Sequence, residues 1–407
     1  MKVLIADKFE KVGVDGLKEL GCTVVAQPDA KAEELPRLIR EVDPHILIVR
    51  GTKVSGEALK AGTALTLVIR AGAGIDTIDV VTASSQGVFV SNCPGKNSIA
   101  VAELALALLL ACDRRIPDQA LDLRQGRWNK GEYGKARGLH GRRLGIVGLG
   151  PIGREIAKRA QAFGMRVIAW SRSLTTEEAE RLGVAYAETP LDVARLADAV
   201  SINVAANAET KHLVNAEFLA AMRPGAYLIN TSRGSVVDEA ALREAIRTKG
   251  IRAGLDVFQG EPAGASGGFG NEIVQEPGVY GTHHVGASTE QAQVAIAHEV
   301  IRIVQTFQAS GEVPNVVNRL ARSSATHVLS IRHRNRPGVL AHVFGVLAGA
   351  TINVEEVENI IYHGAQATLA RIHLDGEPTN GALERIRSGN ADIISVELSE
   401  IDGRNPA

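Results

Sequence analysis

Six consecutive residues, Gly148-Leu149-Gly150-Pro151-Ile152-Gly153, have the types and spacing of a loop that cradles phosphate. An apolar run, 143–147, leads into them, and a stretch of helical spacing, 154–163, follows. Gly148 permits a tight turn, Gly150 lets backbone approach a pyrophosphate, and Gly153 lets helix and strand pack closely. The helix N-terminus then offers unpaired N–H groups to the anion. A strand before and a helix after separate this fingerprint from a chance run of glycines. At the end of the next apolar run, 166–170, a site for the unphosphorylated ribose usually carries Asp or Glu. This chain has Ser171-Arg172-Ser173 there. A hydroxyl and a guanidinium suit a 2′-phosphate; equally, Arg172 can be a surface neighbour of an adenosine site that takes NAD. The expected cofactor is NAD or NADP, with the preference open, and no metal.

A second group of reactive side chains follows downstream: Arg233 in Asn230-Thr231-Ser232-Arg233-Gly234, then Asp238, Asp256, Glu261, His283 and His284. Singly, each has a plain explanation. An Arg is commonly an exposed ion-pair partner, a Glu before Pro sits in a solvated turn, and a lone His is more often structural than catalytic. Together they form a series. GLGPIG, NTSRG, LDVFQGEP and HHVGAST occur in that order, after RAGAGIDTIDV at 70–80 and NCPGKNSIAVAE at 92–103. Over about residues 1–318 the chain resembles the D-isomer-specific 2-hydroxyacid dehydrogenase family.

That resemblance implies roles. Hydride transfer to a 2-keto acid leaves negative charge on the carbonyl oxygen, so a group must donate a proton there and, in reverse, accept the alcohol proton. By family position this is His284, with Glu261 holding the imidazole and raising its pKa. Arg233 binds the substrate carboxylate as a bidentate fork. Asp256 is expected to face the nicotinamide carboxamide. Cofactor contacts are expected from Ala73, Gly148, Gly150, Pro151, Ile152, Gly153, Ser171, Arg172, Val204, Ala205, Thr210, Thr231, Ser232, Arg233, Asp256, His284 and Gly286. Substrate contacts are expected from Arg50, Lys53, Ala73, Gly74, Arg233 and His284. Arg50-Gly51-Thr52-Lys53 is similar to a stretch of the phosphoglycerate dehydrogenases of this family, with Gly51 where Ser is common; its two cations suit a phosphate tail. His283 stands where the family usually has Pro, and Asn203 and Ala205 where it commonly has His and Pro.

Near the C-terminus, His333-Arg334-Asn335-Arg336-Pro337-Gly338-Val339-Leu340, followed by Asn353-Val354, resembles an ACT domain, an amino-acid-sensing module. The resemblance implies that His333, Asn335 and Asn353 contact an effector, L-serine, at an interface between two such domains; the alternative is a domain used for assembly alone. The reaction implied is NAD(P)-dependent oxidation of D-3-phosphoglycerate to 3-phosphohydroxypyruvate, the entry to serine synthesis. The alternatives are a glyoxylate or hydroxypyruvate reductase and a dinucleotide-sensing corepressor.

The elements that must position these residues can be read coarsely. Short apolar runs at 2–6, 46–49, 67–69 and 88–90 alternate with helical spacing at 12–20 and 35–42, the pattern of a parallel sheet covered by helices. A long helix is predicted over 98–113. The pattern restarts with strands at 143–147, 166–170, 199–204, 227–230 and 253–257, interrupted by a Gly-rich segment, 264–270. Residues 314–326 lack periodicity and read as a linker, and 327–399 read strand, helix, strand, strand, helix, strand. The expected architecture is α/β: two doubly wound parallel-sheet domains, a substrate domain (1–97 and 285–318) and a Rossmann dinucleotide domain (98–284). A linker (319–326) and a small α+β ferredoxin-like ACT domain (327–402) follow.

A chain of 407 residues suits two or three domains. With 45 Lys plus Arg against 46 Asp plus Glu, nothing draws the surface to nucleic acid or to an anionic membrane, so an anion site must be built locally. The three cysteines, far apart and without a CxxC pair, argue against a disulfide framework or a zinc site and suit a reducing cytosol. The first ten residues are too polar for a signal peptide, and the most apolar run, 104–112, is about half a membrane span. A cytoplasmic homodimer or homotetramer acting on a small phosphorylated 2-hydroxy acid is the expectation.

Overall fold

The computed structural model describes residues 1–262, 267–320 and 323–401. Contacts divide the chain into two units, Met1–Asn318 and Arg319–Ala407. Two parallel sheets form the first unit. One contains β1 (Lys2–Ile5), β2 (Thr23–Ala26), β3 (Ile46–Val49), β4 (Leu67–Arg70) and β5 (Phe89–Asn92) in the order β2-β1-β3-β4-β5. The other contains β6 (Arg143–Val147), β7 (Arg166–Trp170), β8 (Ala185–Tyr186), β9 (Ala199–Ile202), β10 (Tyr227–Asn230), β11 (Arg252–Leu255) and β12 (Val279–Gly281). Its order is β12-β11-β10-β9-β6-β7-β8, so the chain winds outward in both directions from β6. The crevice above the β6–β9 junction is where such sheets bind ligands.

Helices on both faces explain why the central strands read as unbroken apolar runs: every residue of β3, β9 and β10 is buried. Two helices cross between the sheets. Ser98–Arg114 leaves the first sheet and packs Ala102, Ala105, Leu106 and Leu109 with Ile146 and Ile229 of the second. Glu290–Ser310 returns and buries Ile296, Val300, Ile303 and Val304 against β1, β3 and β4.

In the second unit, β13 (His327–Arg334), β14 (Val354–Ile361), β15 (Ala367–Leu374) and β16 (Ile393–Glu400) form an antiparallel sheet, β14-β15-β13-β16. Helices Val339–Gly349 and Asn380–Ser388 cover one face, with Leu329, Ile331, Val343, Leu347, Ile372 and Ile386 as its core. The strand–helix order is the ferredoxin-like one expected.

The sequence misses β2, β8 and β12. All three are short; β2 and β8 are largely exposed, so they carry little apolar signal. Residues 314–318 do not behave as a linker. Asn318 accepts from the Val90 N–H at 2.8 Å, and the Asn315 side chain donates to Asn92 O at 3.1 Å and to Glu299 at 2.7 Å. Glu299 also binds Arg302 and Lys96, and the Arg302 hydrogen bond first, then those from Asn315 and Lys96, outweigh burial and hold its carboxyl down to about 2. The helix after β13 begins at Val339, after Gly338 in a left-handed conformation, so Pro337 lies just before it. Residues 264–266 of the Gly-rich segment, 321–322 of the expected linker and 402 lie outside the described residues.

All three cysteines are buried and unpaired, and burial pushes the Cys93 thiol up to about 12. Among the described residues no helix is long and apolar enough to cross a membrane, and no group of His, Cys, Asp or Glu is placed to hold a metal ion.

Candidate active site

The end of β6 has the geometry a pyrophosphate requires. Gly148 has φ +98°, and a Cβ there would lie 2.6 Å from the Asn203 carbonyl oxygen; a Cβ on Gly153 would lie 2.2 Å from Gly148 O. Above Gly150 there is open space. Gly150 caps the twelve-residue helix Pro151–Ala162 without any side-chain acceptor, so its first N–H groups remain available. Ile152 packs into the core of the second sheet, which leaves its backbone as the part facing an anion. Across the crevice the Thr210 hydroxyl donates to Ala205 O at 2.6 Å and folds the 203–210 loop. The Thr231 hydroxyl is buried with no partner among the described residues. An orphaned hydroxyl, an open glycine and an uncapped helix fit a dinucleotide.

Glu261 and His284 meet as the sequence suggests. His284 Nδ1 lies 2.7 Å from Glu261 Oε2, and the Phe258 N–H donates to Glu261 Oε1 at 2.8 Å. With Nδ1 donating to the carboxylate, Nε2 is the nitrogen left for a substrate. Burial pushes the Glu261 carboxyl up, but the His284 and Phe258 hydrogen bonds and the charges of His284 and Arg233 hold it below its ordinary value. His284 itself has φ +53°, a left-handed conformation that costs a non-glycine residue about 1–3 kcal/mol.

Asp256 explains how that conformation is held. It is 1% exposed and accepts from Thr282 Oγ1 (2.6 Å), Val285 N (2.9 Å) and Gly286 N (2.8 Å), while its carbonyl accepts from His284 N (2.8 Å). The resemblance assigns Asp256 to the nicotinamide carboxamide. Its carboxylate is engaged beneath the 282–286 turn and fixes the residues that carry His284, while Oδ2, with one partner among the described residues, keeps a lone pair.

Arg233 is positioned from both sheets. The Asn230 side chain accepts from Ser232 N and Oγ and donates to Arg233 O, closing the turn at the end of β10. The guanidinium reaches Asp76 through Nη2 (3.1 Å) and Nε (3.4 Å), and Ser232 O through Nη1 (2.8 Å). Among the described residues two of its five N–H groups have no partner, one on each terminal nitrogen. A Cβ on Gly74 would lie 2.0 Å from Nη2, so this approach needs a glycine. Beside it, the Asn92 side chain fixes Ala73 O at 2.6 Å, and the Ala73 and Gly74 N–H groups have no partner among the described residues.

Arg50 and Lys53 lie in a loop tied down by Asp7, whose Oδ2 accepts from the N–H groups of Arg50, Gly51 and Thr52 at 2.7–3.1 Å. Arg50 Nη2 reaches Ser288 Oγ at 3.4 Å. Arg70, which the sequence reading did not single out, has a buried Nε without a partner among the described residues. Burial, and then the like charges of Arg233 and Arg50, lower its affinity for its proton; Asp76 opposes them. Arg50 follows Val49, the β3 residue in register with Arg70 of β4, so these two cations stand at adjacent strand ends, and Arg233 approaches the same edge through Asp76.

A cleft of about 380 Å³ is lined by Asp76, Lys211, His212, Arg233, Glu261 and His284, among others. Asp7, Arg70, Asp76, Lys211 and His212 were missed because nothing local marks them. Orphaned buried polar atoms also occur at Asn97 and Ser98, where the helix Ser98–Arg114 begins. His283 is exposed. Asn203 donates to Ser201 O at 3.2 Å and contacts the Ser201 hydroxyl, while its carbonyl lies against Gly148. Val204 packs on the second sheet's core. Arg172 is three-quarters exposed and paired with Glu209 at 3.2 Å.

In the second unit the three expected effector residues are not alike. His333 is 3% exposed, with Nδ1 2.8 Å from Arg334 O and Nε2 2.7 Å from Thr368 Oγ1, so its imidazole belongs to the core. Asn335 donates to Ala365 O (3.1 Å) and Asn353 to Glu355 (2.9 Å), and both are exposed.

The family model for the D-isomer specific 2-hydroxyacid dehydrogenase NAD-binding domain matches residues 106–286. The chain is 37% identical over 320 residues to D-3-phosphoglycerate dehydrogenase of Methanocaldococcus jannaschii, covering 78% of this chain and 59% of that protein, so it spans about three-fifths of that relative's length. It is 37% identical over 303 residues to hydroxypyruvate reductase of Thermotoga maritima, covering 74% of this chain and 96% of that one. Among solved structures, the NADPH-dependent glyoxylate/hydroxypyruvate reductase of Sinorhizobium meliloti, in complex with NADP and malonate, superposes with a TM-score of 0.67 at 32% identity, covering 79% of this chain and 99% of that one. The chain belongs to the D-isomer specific 2-hydroxyacid dehydrogenase family.

Proposed function

We propose that this member of the family oxidises D-3-phosphoglycerate to 3-phosphohydroxypyruvate with a nicotinamide dinucleotide. The observation that carries the substrate is the gathering of Arg50, Arg70 and Arg233 at one edge, opposed by Asp76. A surplus of cations with an orphaned, buried guanidinium N–H calls for a ligand with more than one negative charge. A phosphorylated acid brings a carboxylate and a phosphate; glyoxylate brings a carboxylate alone.

The Gly148–Gly153 loop and Thr231 would hold the dinucleotide, whose nicotinamide would supply the hydride acceptor. His284 Nε2 takes the proton of the substrate hydroxyl as the hydride leaves the same carbon, and returns it to the carbonyl oxygen in reduction. Glu261 accepts from Nδ1 and so holds the ring with Nε2 toward the substrate. The two remaining N–H groups of Arg233, with the Ala73 and Gly74 N–H groups, hold the carboxylate; Arg50, Lys53 and Arg70 face the phosphate.

The second reading, a glyoxylate or hydroxypyruvate reductase, is favoured by the T. maritima relative, which this chain covers almost completely. The two separate in one experiment: D-3-phosphoglycerate, glyoxylate and hydroxypyruvate, each against NAD(H) and NADP(H), for wild type and Arg50→Ala. We expect phosphoglycerate turnover, with kcat/KM lowered roughly ten- to a hundredfold in the variant, the worth of a charge-assisted pair. Glyoxylate turnover should change little. Fast glyoxylate reduction without phosphoglycerate oxidation would establish the second reading. Dinucleotide binding with no turnover of any acid would point to a sensing protein instead.

A further inference from the structure

The end of β7 lacks the carboxylate that holds ribose hydroxyls in NAD-selective sheets; it has Ser171-Arg172-Ser173. Its guanidinium is nonetheless not free. Arg172 Nη1 meets Glu209 Oε2 at 3.2 Å. Arg172 follows β7 and Glu209 lies in the loop after β9, and these two strands flank β6, one on each side. The ion pair therefore joins the two banks of the crevice whose floor is the Gly148–Gly153 loop. Glu209 is held there by its own loop: its N–H donates to Asn207 Oδ1 at 2.9 Å, and the Thr210 N–H donates to the same oxygen at 3.0 Å.

We propose that Glu209 supplies the carboxylate missing from the end of β7 and, by holding Arg172, selects NAD over its 2′-phosphorylated form. As stability, such a pair matters little, because its side chains are 75% and 74% exposed and solvent screens them. Its consequence lies in the charge it presents. A lone Arg172 would draw in a phosphate dianion. Arg172 with Glu209 presents no net charge, and the carboxylate repels the phosphate while it can accept hydrogen bonds from ribose hydroxyls. Arg154, in the first turn of the helix after Gly150, does not restore the balance, because it is paired with Glu178 at 2.6 Å. The inference rests on dinucleotide binding alone and is independent of which acid is oxidised.

The test is titration of purified protein with NADH and NADPH, read by quenching of protein fluorescence and by calorimetry, without any acid substrate. Wild type should bind NADH more tightly. Glu209→Gln, which keeps shape and removes charge, should raise NADPH affinity relative to NADH about tenfold or more. Adding Arg172→Ala to Glu209→Gln should abolish that gain. Both side chains are exposed, so the variants should fold as wild type does, which a melting curve checks. Wild type that prefers NADPH, or a Glu209→Gln ratio within about twofold of wild type, overturns the proposal. Because no substrate is present, a wrong substrate assignment cannot produce either result.

Discussion

His284 and His333 each lie in a segment that the sequence marks as functional, yet their surroundings are opposite. The His284 side chain is 46% exposed, its backbone is held at φ +53°, and among the described residues only Nδ1 has a partner. The same unit holds further groups without a partner among the described residues: the Thr231 hydroxyl, the Arg70 Nε and, in the cleft with His284, two N–H groups of Arg233. His333 is 3% exposed and both ring nitrogens are engaged within the domain. A site built for a ligand leaves hydrogen-bonding capacity open toward the place the ligand will fill and accepts backbone strain to do so. A structural histidine closes its own contacts. A motif alone does not distinguish the two.

The sharpest way to break this comparison is His284→Ala. Turnover should fall by roughly a hundredfold or more, the usual contribution of a positioned acid–base group. NADH affinity and thermal stability should stay close to wild type, because the side chain is half exposed and carries one hydrogen bond. Near-normal turnover would remove His284 from the chemistry and the comparison with it.

A smaller effect is expected at Glu261→Gln. Folding lowers the Glu261 pKa, so its pairing stabilises the folded chain above the ordinary Glu value near 4.3, and that contribution is lost as pH falls through the lowered value. The carboxylate is thus charged throughout the range in which an imidazole titrates. Without it Nδ1 loses its acceptor and the ring loses the partner that fixes its orientation. Turnover at neutral pH should fall about tenfold or more in Glu261→Gln, and in wild type the rate should also fall as the pH drops through the lowered Glu261 value. A Glu261→Gln turnover within about twofold of wild type would mean that the carboxylate is not needed to position the ring.

How much of this was legible in the sequence depends on distance along the chain. The Gly148–Gly153 loop was readable because turn, anion site and helix start lie within six residues, each with its own steric demand. Buried central strands such as Ile46–Val49 were readable as apolar runs, whereas the short strands β2, β8 and β12 were not. Arg233, Glu261 and His284 stood out through family resemblance; spacing alone left each with a plain structural explanation. The residues that position them were invisible. Asp76 meets Arg233 across 157 residues and Asp7 binds the 50–52 loop across more than forty, so no local pattern pairs them. Arg70 opens the RAGAGIDTIDV motif, but that its Nε is buried without a partner among the described residues emerges only once β4 is in its sheet.

The smallest effect on turnover is expected at His333, and it divides the expected effector site in two. His333 and Thr368 are both buried, and removing the imidazole strands the Thr368 hydroxyl, at a cost of roughly 1–3 kcal/mol to the second unit. Asn335 and Asn353 are exposed, and each carboxamide oxygen is unengaged among the described residues, so these two remain the groups with which an amino acid such as L-serine could be bound. In His333→Ala, amide exchange along β13 and β15 should quicken and the unit should melt earlier, with turnover in the absence of amino acids unchanged. Calorimetric titration with serine and glycine should then give heat in wild type that is lost in Asn353→Ala but only weakened in His333→Ala. Complete loss of heat in a His333→Ala protein that melts like wild type would make the imidazole a ligand contact and erase the contrast with His284. No heat from any amino acid in wild type would leave the second unit an assembly module, with His333 still part of its core.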